Sequence, residues 1–129
     1  MKDILLYLWQ LPQNLLGLIL CLIYPDKFPT ALKDVKVHVN QSFPSGISLG
    51  NYIIVKYVRP NTISHEYGHH LQSLKWGWLY LIVIGLPSLT GNIIDRLFHK
   101  KWDWLKREQW YYNQPWEKSA DKLGGVKRF

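Results

Sequence analysis

Residues 63–72 read Ile-Ser-His-Glu-Tyr-Gly-His-His-Leu-Gln, and the His65-Glu66-x-x-His69 pattern within them constrains the chain more than any other stretch. On a helix, two imidazoles four residues apart share one face, where they can hold a Zn²⁺ ion, and the Glu between them stands beside that ion as a base. The pattern makes three further demands: a helix through it, a third ligand from elsewhere, and a cleft that water can reach.

Arg59-Pro60-Asn61-Thr62 breaks the chain just before the motif, so a helix is expected over about residues 62–74 with Asn61 or Thr62 as N-cap. Ile63, Tyr67, Leu71 and Leu74 supply its core contacts, and Lys75 and Gly77 fit its end. Gly68 is out of character, because Gly inside a helix costs about 1 kcal/mol against Ala. Close approach by another backbone or by the metal site would explain it. His70 points about 100° away from His69 around the helix and is left out of the ligand set, as a surface or core-edge side chain.

Upstream, residues 3–10 fit a short helical turn. Pro12 suits the first position of a helix through Leu15, Leu16, Ile19, Leu20 and Ile23, whose apolar residues nearly all round imply burial on more than one side. Pro25 and Pro29 bracket a loop. Val35, Val37 and Val39 alternate with Lys36 and His38 as a half-buried strand on which His38 is structural. Residues 47–58 are strand material, with Gly50-Asn51 either a hairpin turn or a bulge. Downstream, residues 78–86 form an apolar helix or extended segment closed by Pro87. Helical spacing then runs from Ile93 to about Trp104, an aromatic connector follows, and Pro115 opens a last helix that stops at Gly124-Gly125. No repeat or linker divides residues 1–129, so a single α+β domain is expected.

A third ligand must be a His, Asp or Glu from another element. Glu117, on the expected last helix, is the best candidate downstream. Asp121 follows it at i+4 on the same face, and Ala120 and Gly124 lie near that face, where small side chains let the helix press against the metal-bearing one.

His65-Glu66-x-x-His69 followed by Glu117-x-x-x-Asp121 resembles the gluzincin class of zinc metallopeptidases. More loosely, Gly68–Ser73, Gly85–Ser88 and Ala120–Val126 resemble elements of short bacterial zincin-like proteins and toxin-type C-terminal domains. The resemblance implies a minimal zincin-like fold, with a small antiparallel or mixed sheet packed on the metal-bearing helix and further helices around it. It implies His65, His69 and Glu117 as zinc ligands, Glu66 as general base, and Asp121 hydrogen-bonded to a zinc-binding His, fixing its tautomer. It further implies a peptide or protein substrate, lying extended along a sheet edge formed by the strand before the motif helix. The chain is far shorter than typical gluzincins and offers no obvious second lobe to close a cleft. Tyr111, Tyr112 and His99 are the candidates for a donor to the oxyanion of hydrolysis.

Composition narrows the alternatives. With 47% apolar and 19% charged residues the chain is globular, and its one cysteine, Cys21, excludes an internal disulfide or a Cys-rich zinc site. The net charge of +7 gathers partly at Lys100-Lys101, Lys106-Arg107 and Lys127-Arg128, with Trp102, Trp104 and Trp110 interleaved. This reads as a solvated basic face, or as a peripheral membrane contact; no nucleic-acid-binding signature accompanies it. The apolar run of residues 4–24 is broken by Gln10, Pro12, Gln13 and Asn14, and its remainder is half the roughly 20 residues of a membrane span. No convincing signal peptide is present. That run and residues 78–89 are expected to be core or interfacial segments, which favours a cytoplasmic or membrane-associated protein. A zinc-stabilised binding or scaffold protein without turnover is the reading from another class.

Overall fold

A computed structural model describes residues 2–128. Its centre is the run Ile53-Ile54-Val55, buried on both sides as strands covered on two faces are. The fold is α+β, with six α-helices and a mixed four-stranded sheet among the described residues. The strands are β1 (Thr30–Leu32), β2 (Val35–Val39), β3 (Gly46–Leu49) and β4 (Tyr52–Val55), in the order β1-β2-β4-β3. β1 is antiparallel to β2, β2 parallel to β4, and β3 antiparallel to β4. Gly50, at φ +65°, and Asn51 form the turn of the β3–β4 hairpin, so the open choice between hairpin and bulge resolves to the hairpin.

The helices are α1 (Lys2–Trp9), α2 (Leu11–Ile23), α3 (Pro60–Trp76), α4 (Leu86–Phe98), α5 (Trp104–Tyr112) and α6 (Pro115–Gly124). On one face of the sheet Val35, Val37, Ile53 and Val55 meet Tyr67 of α3. On the other, Ile54 packs with Phe43 and with Cys21 of α2. Each fully buried Ile or Val of β4 is worth about 1.5–3 kcal/mol of apolar transfer, which makes this strand the anchor for both flanking helices.

Several expectations are corrected. The motif helix starts at Pro60, pre-set for a first turn, with Arg59 as a cap that makes no side-chain bond; Asn61 and Thr62 lie inside it. Pro87 does not close the segment before it. A 3₁₀ turn (Gly77–Leu79) and a π turn (Leu81–Gly85) lead straight into α4, and the π turn accommodates a proline near the helix start. Residues 104–112, expected as a connector, form α5, capped by Asp103 accepting from Lys106 N at 2.7 Å. The strand before the motif helix, β4, is interior; the free sheet edge on that side is β3.

The largest departure is α2. Its buried residues are Gln13, Asn14, Gly17 and Cys21, while Leu15, Leu18, Ile19, Leu22 and Ile23 are exposed. Gln13 donates to Ser73 Oγ and to the Gly77 carbonyl, both at 2.8 Å. Ser73 Oγ donates to Gln10 Oε1 at 2.6 Å, and Asn51 N donates to Asn14 Oδ1 at 2.7 Å. A polar seam fixes α2 to α3 and, beside the apolar contact of Cys21 with Ile54, to the hairpin.

Candidate metal centre

Two helices with small residues at their crossing build the site. An ideal Cβ on Gly68 would lie 1.9 Å from the carbonyl oxygen of Ala120, and one on Gly124 would lie 2.0 Å from that of Ser64. Backbone therefore meets backbone where α3 crosses α6, as the anomalous Gly68 and the small Ala120 and Gly124 lead one to expect. This contact brings Glu117 between the two motif histidines: its Oε2 lies 2.9 Å from His65 Nε2 and 3.1 Å from His69 Nε2. The three side chains are buried, with one ligand atom of each within 4.8 Å of the others, close enough to hold a metal ion.

The far nitrogen of each ring is also held. His65 Nδ1 lies 2.7 Å from Asp121 Oδ1, whose Oδ2 accepts from Arg128 Nε at 2.8 Å. His69 Nδ1 lies 2.6 Å from Gln72 Oε1. The Gln72 amide is oriented by its own donation to the Trp116 carbonyl at 2.9 Å, so its oxygen faces His69. Both rings thus have an acceptor at each nitrogen. Satisfying these contacts with protons alone would require two buried imidazolium ions whose Nε2–H groups crowd onto a single oxygen of Glu117, with the Asp121 carboxylate behind only one of them. A cation shared by the two Nε2 lone pairs and Glu117 Oε2 satisfies them with neutral rings, each donating Nδ1–H outward. The residues present therefore fit a metal.

The ionisation of the metal-free site follows from the same contacts. Burial would raise the Glu117 carboxyl, but the hydrogen bonds from His65 and His69 outweigh it and hold it well below the carboxylate range. Ser88 Oγ also donates to its Oε1. Burial opposes the charged form of His65, yet the Asp121 hydrogen bond, then that of Glu117, push it up to about 9. Glu66 moves the opposite way to Glu117: burial raises its carboxyl, only partly offset by His69 and His65. Two carboxylates in one site are driven apart, one fixed as an anion and one inclined to hold a proton.

Glu66 lines two open cavities. One, of about 340 Å³, is walled by Gly46, Thr62, His65, Tyr111 and Tyr112. The other, of about 490 Å³, is more apolar and runs past Tyr80 and Leu81 to Leu86 and Leu89. Gly46 of β3 is close enough that a Cβ there would sit 3.2 Å from Glu66 Oε1. The Tyr112 ring packs edge-on to His65 at 5.2 Å, and Tyr111 Oη lies 3.4 Å from Ser88 Oγ. Burial pushes the Tyr112 phenol up to about 12 and raises Tyr111 as well, so both stay protonated donors.

His99 does not belong here. It bonds Asp95 at 3.1 Å and stacks on Trp102 with ring centroids 3.7 Å apart, lining neither cavity. His70 stands outside the metal cluster, but it is fully buried, against expectation, with Nδ1 donating to the Gly50 carbonyl at 2.7 Å. The sequence reading missed Gln72 and Ser88 as site residues. Gln72 carries a signal, three positions after His69 and on the same helix side; Ser88, on α4, closes the Gly85–Ser88 element of the looser resemblance, but no spacing ties it to the ligands. Comparison with protein-family models, curated proteins and solved structures finds no match to this chain.

Proposed function

We propose that this chain is a zinc-dependent hydrolase, a small peptidase of gluzincin type. The observation that carries this reading is the convergence of His65 Nε2, His69 Nε2 and Glu117 Oε2 within 4.8 Å, with the Glu66 carboxyl beside them on an open cavity. Two imidazole nitrogens and one carboxylate oxygen are a donor set for zinc, and three protein ligands leave a coordination position free for chemistry. Zinc bound in this way lowers the pKa of water to about 7 and polarises a carbonyl.

The chain's own residues supply the rest. Asp121 and Gln72 hold the two rings with Nε2 inward. Glu66, whose burial makes its ionised carboxylate a stronger base than a solvated one, would take the proton of the attacking water and return it to the leaving amine. Tyr111 and Tyr112, protonated and on the cavity wall, are placed to donate to the developing oxyanion. The free edge of β3 at Gly46 and Ile47 borders the larger cavity and suits an extended peptide added as a strand.

The test is paired. Protein purified without chelator should carry one zinc per chain and His65→Ala none, by elemental analysis. Glu66→Gln should keep its zinc and lose hydrolysis of a peptide library by roughly 100-fold or more. Unchanged turnover in Glu66→Gln overturns the base role. Zinc retained with no cleavage by the wild-type chain points to a binding or scaffold protein.

A further inference from the structure

The chain turns its polar side chains inward and its aliphatic ones outward on one connected surface. Along α2, Gln13 and Asn14 are 0% exposed while Ile19 is 53% and Leu22 75% exposed. The helical stretch Leu81–Phe98 repeats the inversion: Ile82, Leu89 and Leu97 are exposed, and only 11% of the stretch is buried. No charged residue occurs over residues 4–24 or 76–94. The two surfaces join: Trp78 Nε1 donates to the Leu8 carbonyl at 2.8 Å, and Trp9 Nε1 to that of Leu74 at 2.7 Å. Farther along, Leu16 of α2 faces Leu81, Leu86 and Leu89 across the larger cavity. Soluble monomers rarely leave so continuous an apolar patch in water.

We propose that this surface docks the protein on an anionic phospholipid bilayer, lying in the interface without crossing it. α1 and α2 bend by 90° at their junction, too sharply for a straight span. Leu81–Phe98 is long and apolar enough to cross, but its inner side is tied into the fold, with Ser88 on Glu117 and Asp95 paired to Arg107 at 2.7 Å. Interfacial helices with an aliphatic outer face and a polar inner one sink only about 5–10 Å into the head-group boundary. Charge selects lipid over a second copy of the chain. The uncharged stretches are bordered by Lys27 (beyond Asp26), by Lys75 directly before the second, and by Lys100 and Lys101 beyond Asp95, within a net charge of +7. A two-fold contact between copies would set these like charges against each other, whereas an anionic head group attracts each of them. The Trp102 and Trp110 rings, which sequence suggests as part of a membrane patch, instead pack on His99 at 3.7 and 4.5 Å. The aliphatic helices, not those tryptophans, form the docking surface.

The proposal is independent of the hydrolase reading, and its test needs no activity. The 129-residue chain is floated with vesicles of phosphatidylcholine alone and of phosphatidylcholine containing phosphatidylglycerol. Wild type should float with the anionic vesicles and bind the neutral ones at least roughly tenfold more weakly. Ile19→Glu/Ile82→Glu, both at exposed positions, should lower anionic-vesicle binding at least roughly 100-fold with unchanged circular dichroism. If that pair misfolds, Lys100→Glu/Lys101→Glu serves instead and should abolish the preference for anionic lipid. Absence of flotation overturns the proposal, as does equal binding to both vesicles. A dimer in detergent-free solution that the Ile19→Glu/Ile82→Glu variant dissociates, with no flotation of the wild type, overturns it in favour of a second copy.

Discussion

Gly68→Ala separates two physical accounts by the sign of its effect. In a helix interior, Ala is favoured over Gly by about 1 kcal/mol, so a substitution judged on helix propensity alone should stabilise the protein. The structure requires the opposite. The new Cβ would sit 1.9 Å from the Ala120 carbonyl oxygen, 2.7 Å from its carbon and 3.0 Å from its Cα. Carbon and oxygen need roughly 3.2 Å, and the obstacle is backbone with no rotamer to give, so α6 must retreat by about 1 Å or more. Overpacking of this kind costs about 1–3 kcal/mol, and the rigid neighbour puts the expected net loss near 2 kcal/mol. At about 4 °C per kcal/mol for a chain of 129 residues, the melting temperature should fall by roughly 8 °C. The retreat carries Glu117 with it, and metal–ligand distances tolerate only about 0.2 Å, so zinc affinity should drop by at least roughly 100-fold. Gly85→Ala is the control: a Cβ there meets nothing nearer than 3.5 Å at a helical φ of −61°, and should be neutral or stabilising by up to about 1 kcal/mol. Differential scanning fluorimetry and competition with a chromophoric zinc chelator read both quantities. If Gly68→Ala raises the melting temperature and keeps the wild-type affinity, the close crossing of α3 and α6 is wrong.

Two further outcomes follow from the acceptors behind the imidazoles and from their protons. Asp121→Ala and Gln72→Leu each remove the acceptor that orients one ring, and each should weaken zinc binding by roughly 10–100-fold in the same chelator competition; affinity within twofold of wild type would contradict the orienting roles. In metal-free protein, His65 is raised from 6.5 to about 9, so the folded state holds its proton more tightly than the unfolded chain does. That stabilisation is complete below about pH 6.5 and is lost as pH rises through about 9, amounting to about 3 kcal/mol. Metal binding needs the ring unprotonated, so the zinc-loaded protein should gain stability over the same window. Urea midpoints with and without chelator between about pH 6 and 9 check both slopes, and a metal-free midpoint that rises with pH refutes the sign.

The site was more legible in the sequence than its surroundings were. His65 and His69 are spaced by helix geometry, and Glu117 and Asp121 by the same geometry on a second helix, so each pair declares a face. Gly68, Ala120 and Gly124 declare that the two faces can approach. Ser88 and the β3 edge belong to the site through long-range packing alone, which no local spacing encodes. α5 escaped because its aromatic residues obscure the helical period, although Asp103 three positions before Lys106 is an ordinary N-cap. β1 pairs only three residues and has no alternation to read.

The misreading of α2 has a different origin. Treating Gln10, Gln13 and Asn14 as interruptions of an apolar run assumes that the medium outside the protein is water, so that polar residues mark the outside. The structure pairs Gln10 with Ser73 Oγ, Gln13 with Ser73 Oγ and the Gly77 carbonyl, and Asn14 with Asn51 N, and leaves Leu15, Ile19 and Leu22 facing out. Leaving any one of those buried amides unpaired would cost about 1–3 kcal/mol, so the seam specifies the rotation of α2 more sharply than an aliphatic stripe could. Replacing Gln13 by Leu would make the helix more hydrophobic and yet destabilise it, because Ser73 Oγ and the Gly77 carbonyl would lose their donor. An apolar helix docked through hydrogen bonds reverses the usual assignment of inside and outside. That reversal is intelligible if hydrocarbon, not water, lies against its outer face.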